Sequence, residues 1–172
     1  MGRAILLTGK PGCGKTTVLQ RVIARLEIPM GGFYTREIRQ GNQRQGFELV
    51  TLDGQRRLLA HTSIRSPQRV GKYGVDVGTL DDLAVGAIRK ALAAGGLVVI
   101  DEIGPMEIAS RRFREAVFAA LESPSTLLGA IVQRNTPFTD AVKRHSGVSL
   151  IEVRSENREG LPDYILGLIE EQ

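Results

Sequence analysis

Residues Ala4-Ile5-Leu6-Leu7-Thr8-Gly9-Lys10-Pro11-Gly12-Cys13-Gly14-Lys15-Thr16-Thr17 decide how the rest of the chain is read. The apolar run suits a buried strand, and residues 9–16 spell G-x-x-x-x-G-K-[ST]. Val18, Leu19, Val22, Ile23 and Leu26 then recur at helical spacing. A strand, a glycine-rich turn and a helix N-terminus in that order aim several backbone N–H groups at one point, as a polyphosphate requires. Gly9, Gly12 and Gly14 let the backbone curl where a Cβ would clash. The expected nucleotide-binding set is therefore Gly9, Lys10, Pro11, Gly12, Cys13, Gly14, Lys15, Thr16 and Thr17. Lys15 would reach the β- and γ-phosphates, and the Thr16 hydroxyl would ligate Mg²⁺.

Working outward, the first helix should stop near Ile28-Pro29. The period then changes. Residues 32–39 and 45–52 read as strands joined by Gln40-Gly41-Asn42, and Asp53-Gly54 is a hairpin turn leading back through residues 57–60. This is an antiparallel meander, an insert of about 32–60, rather than another βαβ unit. Residues 61–72 look like an exposed loop, and strand–helix alternation resumes with a strand at residues 73–77. Thr79 is placed to cap a helix whose stripe is Leu80, Leu83, Ala84, Ala87, Ile88 and Ala91, with Gly95-Gly96 ending it. Residues 97–100 and 127–132 read as buried strands with a helix carrying Phe113, Val117, Ala120 and Leu121 between them. A strand at 148–153 and a helix from about Pro162 close the chain. This order predicts an α/β, three-layer P-loop NTPase fold. Its sheet would be mainly parallel with the meander added, helices would cover both faces, and residues 1–172 would form a single domain.

Composition narrows the setting. The chain has 172 residues, 42% hydrophobic and 24% charged, as in ordinary globular proteins. Its one cysteine suits a reducing compartment, no run approaches the length of a membrane span, and the opening apolar segment is too short for a signal peptide. The expected location is cytoplasmic, away from membranes. Net charge is +4. Arg111, Arg112 and Arg114, and Arg36, Arg39 and Arg44 in the meander, read as solvated faces ahead of a nucleic-acid patch, since aromatics are only 5%. Nucleic acid thus stays an open but disfavoured partner, and no pattern bears on oligomeric state.

A second constellation follows the strand at 97–100. Asp101 and Glu102 leave its C-terminal end, on the edge of the sheet where the phosphate loop also lies. Asp101 is placed to hold Mg²⁺ through water, and Glu102 to orient or deprotonate an attacking water. Asp101-Glu102-Ile103-Gly104 also satisfies D-x-x-G, but no N-K-x-D follows to specify guanine, so a GTPase switch is disfavoured.

Taken together, residues 9–16, Gly32-Phe33-Tyr34-Thr35-Arg36-Glu37-Ile38-Arg39, Asp101-Glu102-Ile103-Gly104-Pro105-Met106-Glu107 and Glu156-Asn157-Arg158 resemble the THEP-type nucleoside-triphosphatase family over essentially the whole chain. The resemblance implies Mg²⁺-dependent hydrolysis of ATP, GTP, CTP and UTP alike to the diphosphate and phosphate. It implies Lys15 and Glu102 as catalytic residues and Thr16 and Asp101 as metal residues. Glu107 aligns with the family's second acid, as a candidate for support; helix-terminal stabilisation is the competing reading.

Arg158 follows the last strand at the ligand edge, and its guanidinium plane would stack on any base; Asn157 would hold the loop or touch the base edge. For a transition-state arginine the candidates are Arg36, which has the better family match, and Arg134, which has the better topology. Two rivals accompany the hydrolase reading. One is a nucleotide or small-molecule kinase, with residues 61–72, bearing Arg65, Arg69 and Lys72, as its lid. The other is a nucleotide-gated RNA- or protein-binding module.

Overall fold

The opening apolar run forms β1 (Ala4–Thr8), buried along its whole length, in a computed structural model that describes residues 2–171. After the glycine turn, α1 (Lys15–Ile23) buries Val18, Leu19 and Val22. Beyond it the hydrogen bonds tighten, Arg25 N–H to Val22 O and Leu26 N–H to Ile23 O. The helix therefore ends short of the expected stop at Ile28-Pro29. Next come β2 (Met30–Gln40), β3 (Gln43–Thr51), β4 (Arg56–His61), β5 (Arg69–Val70) and β6 (Tyr73–Val75). A continuous helical stretch consists of α2 (Val77–Thr79), a π turn (Leu80–Ala84) and α3 (Val85–Ala93). The order ends with β7 (Leu97–Ile103), a 3₁₀ turn (Glu107–Ala109), α4 (Arg111–Glu122), β8 (Leu127–Ile131), α5 (Pro137–Arg144), β9 (Val148–Glu152) and α6 (Leu161–Glu170).

Among the described residues nine strands share one sheet, in the order β5-β6-β4-β3-β2-β7-β8-β1-β9. From β2 to β9 the pairing is parallel; from β2 to β5 it is antiparallel. β2 belongs to both halves. Its residues Met30 to Tyr34 pair with Leu97 to Asp101 of β7, and Phe33 to Gln40 pair with β3. The meander is thus no separate insert: β1, α1 and β2 make a crossover unit, and the hairpin grows out of its last strand. Gly32 permits this junction, since a Cβ there would stand 1.9 Å from Val99 O.

Helices cover both faces, as strand alternation requires. Ile5, Leu7, Leu97 and Val99 pack with α1 and α6; Ala4, Leu6, Val98 and Ile100 pack with α3 and α4 on the other side. Among the described residues no helix is long and apolar enough to cross a membrane.

Three local expectations change. β6 does not resume the strand–helix alternation but extends the meander, antiparallel to β4 and β5. The stretch at 61–72 is exposed, as expected, but is not a plain loop: it carries β5, and Arg69 braces it by donating Nη1 to Ile64 O and Nη2 to Lys72 O, at 3.3 and 2.9 Å. The helical stretch is capped by Asp76, which accepts Thr79 N–H at 3.3 Å. Thr79 is fully buried and gives its hydroxyl to Leu58 O at 2.8 Å, so it cannot serve as the cap.

Candidate active site

The turn after β1 keeps Gly9, Gly12 and Gly14 at φ +146°, +76° and +105°, conformations that only glycine adopts readily. Gly14 precedes α1, whose first-turn N–H groups have no partner within the helix. Lys15 folds back so that Nζ donates to Gly9 O at 3.0 Å. Cys13, a free thiol, is half-buried, and its Sγ would lie 2.8 Å from a Cβ at Gly9.

β7 brings Asp101 and Glu102 up beside this turn. Its pairing with β8 runs from Val98 to Ile100 and is picked up again at Ile103. The two acids therefore sit at an irregularity of the ladder, where a bulge re-aims side chains. Asp101 is buried, with the Thr16 hydroxyl beside its carboxyl. Burial pushes its carboxyl up to about 6, with Thr16 and Lys15 pulling the other way and Glu102 adding to the rise. Burial also raises Glu102, against the opposing charge of Lys15.

Glu107 is buried in the 3₁₀ turn. Desolvation and repulsion from Glu102 push it up to about 8, with the nearby backbone groups of Glu107 and Gly104 pulling the other way. Glu102 and Glu107 converge on Gly104: Oε1 of the first and Oε2 of the second lie 2.8 and 3.0 Å from where a Gly104 Cβ would stand.

These residues line a cleft of about 440 Å³, which runs from Pro11 through Thr17 to Asp101 and Glu102. Its opposite wall is the hairpin, through Thr35, Arg36, Glu37, Arg44 and Phe47. A smaller cavity of about 180 Å³ adjoins it behind Glu102, lined also by Glu107, Met106 and Leu59. A larger hollow, about 510 Å³, lies at the far end of the sheet around residues 25–29 and 124–126, with no comparable set of converging groups.

Of the remaining sequence candidates, Arg36 is in the cleft, paired with Glu48. Arg158 lies over the glycine turn, its Cδ 3.6 Å from where a Gly14 Cβ would be. Asn157 is occupied by its own loop, Oδ1 accepting Arg154 N–H and Nδ2 donating to Glu152 O, both at 2.8 Å. Arg134 is exposed in the turn before α5, where its carbonyl accepts the Thr139 hydroxyl, and it does not line the cleft. Lys10 and Thr17 flank the turn, exposed. Arg44 and Phe47 were not singled out as site residues by the sequence. Only the hairpin register, which sets Phe47 opposite Glu37, could have placed them there.

A family model described as NTPase matches residues 4–166. The chain belongs to that family. Its members resemble this chain along nearly its full length. The nucleoside-triphosphatase THEP1 of Thermotoga maritima is 40% identical, with 96% of this chain and 94% of that protein covered. The human cancer-related nucleoside-triphosphatase is 38% identical, with 96% of each covered. Among solved structures, the crystal structure of THEP1 from Aquifex aeolicus superposes with a TM-score of 0.88 at 33% identity, covering 97% of this chain and 99% of that one. The NTPase fold expected from the glycine turn and the strand order is the fold observed, and the family resemblance carried by the sequence blocks is the family found.

Proposed function

We propose that this chain is a nucleoside-triphosphatase. It would release phosphate from nucleoside triphosphates in a Mg²⁺-dependent reaction that accepts any base. One observation carries the reading: Glu102 lines the same cleft as Lys15, Thr16 and Asp101. The glycine turn and Lys15 bind the phosphates, exchanging the Gly9 carbonyl for phosphate oxygens at Nζ. Thr16 and Asp101 would hold the ion. Among the described residues no three acidic, His or Cys side chains form a cage. One carboxylate beside one hydroxyl suits Mg²⁺, which keeps most of its waters and takes its other ligands from phosphate. Bound there, the ion would neutralise charge on the β- and γ-phosphate oxygens.

Glu102 orients a water toward the γ-phosphorus and takes its proton as the new P–O bond forms. The bond from the bridging oxygen to the γ-phosphorus breaks, and its electron pair stays on the diphosphate. Arg158 offers a flat cation to whichever base projects past Gly14, worth roughly 1–3 kcal/mol if it stacks. Asn157, already bonded within its loop, has little left to read a base edge, which supports tolerance over selectivity.

The test is acceptor-free turnover. Purified protein with Mg²⁺ and ATP, GTP, CTP or UTP should release phosphate steadily from all four, and chelation should stop it. A phosphorylated nucleoside or alcohol formed faster than free phosphate would overturn the reading in favour of a kinase.

A further inference from the structure

The hairpin wall of the cleft holds three guanidinium groups in unequal states. Arg36 gives Nε and Nη2 to one oxygen of Glu48 at 3.0 and 2.8 Å, and that pair is neutral. Arg39 and Arg44 share a single carboxylate: Arg39 Nε donates to Glu37 Oε2 at 2.7 Å, Arg44 Nη1 to Glu37 Oε1 at 3.1 Å. Two cations on one anion leave a surplus positive charge, and Arg44 is the cation of that trio that lines the cleft. It is also firmly held. Its Nε donates to Tyr73 Oη at 3.0 Å, and Tyr73 Oη donates back to Arg44 O at 3.3 Å. Its Cζ stands 5.0 Å from the Phe47 ring centre and 5.6 Å from that of Tyr73, the two rings meeting edge to face. Among the described residues Nη2 has no hydrogen-bond partner, so its donors are uncommitted.

We infer that Arg44 is a catalytic residue of the hydrolysis proposed above, its clasped guanidinium bonding the γ-phosphoryl oxygens as the bond to the departing diphosphate breaks. This rests on that reading of the cleft. The glycine turn and Lys15 grip the phosphates from one wall, and the transferred group faces the other, where Arg44 stands with the charge that Glu37 does not neutralise. A phosphoryl group in flight spreads charge over its three outer oxygens, and a fixed cation stabilises it without reorganising. The rings and Tyr73 Oη have already removed the rotamer freedom that a loose surface arginine would lose on engaging. Arg44 gains and loses no proton; the water's proton still goes to Glu102.

The test uses Arg44→Gln and Arg44→Lys, with ADP plus aluminium fluoride as the probe of the transferring group. Both variants should bind Mg-ADP as the wild type does, lose kcat by on the order of 10²–10⁴-fold with KM changed by less than about threefold, and fail to trap the fluoride complex. Lysine restores the charge but not the fork, so it should not rescue. A variant that traps ADP and fluoride normally, with kcat within about threefold of wild type, overturns the inference. Should the variants misfold, a crystal structure of the wild-type protein with ADP and aluminium fluoride decides: an Arg44 Nη within about 3.2 Å of a fluoride supports it, and a gap beyond about 5 Å overturns it. Wild-type protein that binds neither ADP nor the fluoride complex would instead sink the hydrolase reading itself.

Discussion

Lys15 and Glu102 share a cleft, yet their substitutions should separate binding from turnover. In the proposed mechanism the lysine meets phosphate in the ground state and in the transition state, so Lys15→Ala should weaken Mg-nucleotide binding as well as rate. Glu102 is proposed to meet only the water, so Glu102→Gln should bind Mg-ATP normally by calorimetry and hydrolyse it on the order of 10²–10⁴-fold more slowly. A Glu102→Gln protein with wild-type kcat would refute the assignment. Glu107 acts on stability. Its carboxyl has an ordinary value of 4.5 and is pushed up to about 8 in the fold, so between those values the folded state holds the extra proton. Stability must then fall as pH rises through that window, and below it, where both states are protonated, the group contributes no slope. Asp101 and Glu102, also raised, add slopes of the same sign. Glu107→Gln removes one of these contributions. In melts of the ligand-free protein, the variant's Tm relative to wild type should therefore climb from pH 5 to pH 9. A Tm difference that stays flat across that range would show that Glu107 ionises as readily in the fold as outside it.

At the scale of elements, the chemistry gathers where strands end. The glycine turn follows β1, the acid pair closes β7, and the loop bearing Arg158 follows β9, all at the C-terminal edge of the parallel strands. If that last loop is a base platform, Arg158→Ala should raise KM for ATP, GTP, CTP and UTP together, by a few-fold to about a hundredfold, with kcat nearly unchanged. Collapse for one base alone would mean hydrogen-bonded readout, and no change would return Arg158 to the surface. Elements also differ in how openly the sequence declares them. β7 and β8 are legible as unbroken apolar runs because both their faces are covered. α5 is not. It is eight residues long, and only Phe138 and Val142, one turn apart, face the core, so its stripe is too short to announce it. Its signals were Thr136 as cap, Pro137 at the first position and Lys143 and Arg144 in the last turn.

For the molecule as a whole, one wall of the cleft was legible and the other was not. The glycine turn, Asp101 and Glu102 are contiguous blocks whose side of the sheet follows from strand direction alone. Arg44 and Phe47 reach the cleft through pairing between strands, and a pairing register is not written in any one strand. Arg134 shows the converse: it follows a parallel strand at the favoured edge, but the chain turns away there into α5. The double membership of β2 has a consequence for how such a chain can change length. Its first residues are locked to β7 and its later ones carry the hairpin. Inserting or deleting one residue near Thr35 would invert the facing of everything beyond it, exchanging inward and outward side chains along the hairpin. Two residues would preserve facing but slide the hairpin by roughly 6–7 Å, beyond the reach of the glycine turn. Indels in this region are therefore out of phase with the cleft unless they fall at the Gly41 or Gly54 turns, where no ladder is interrupted.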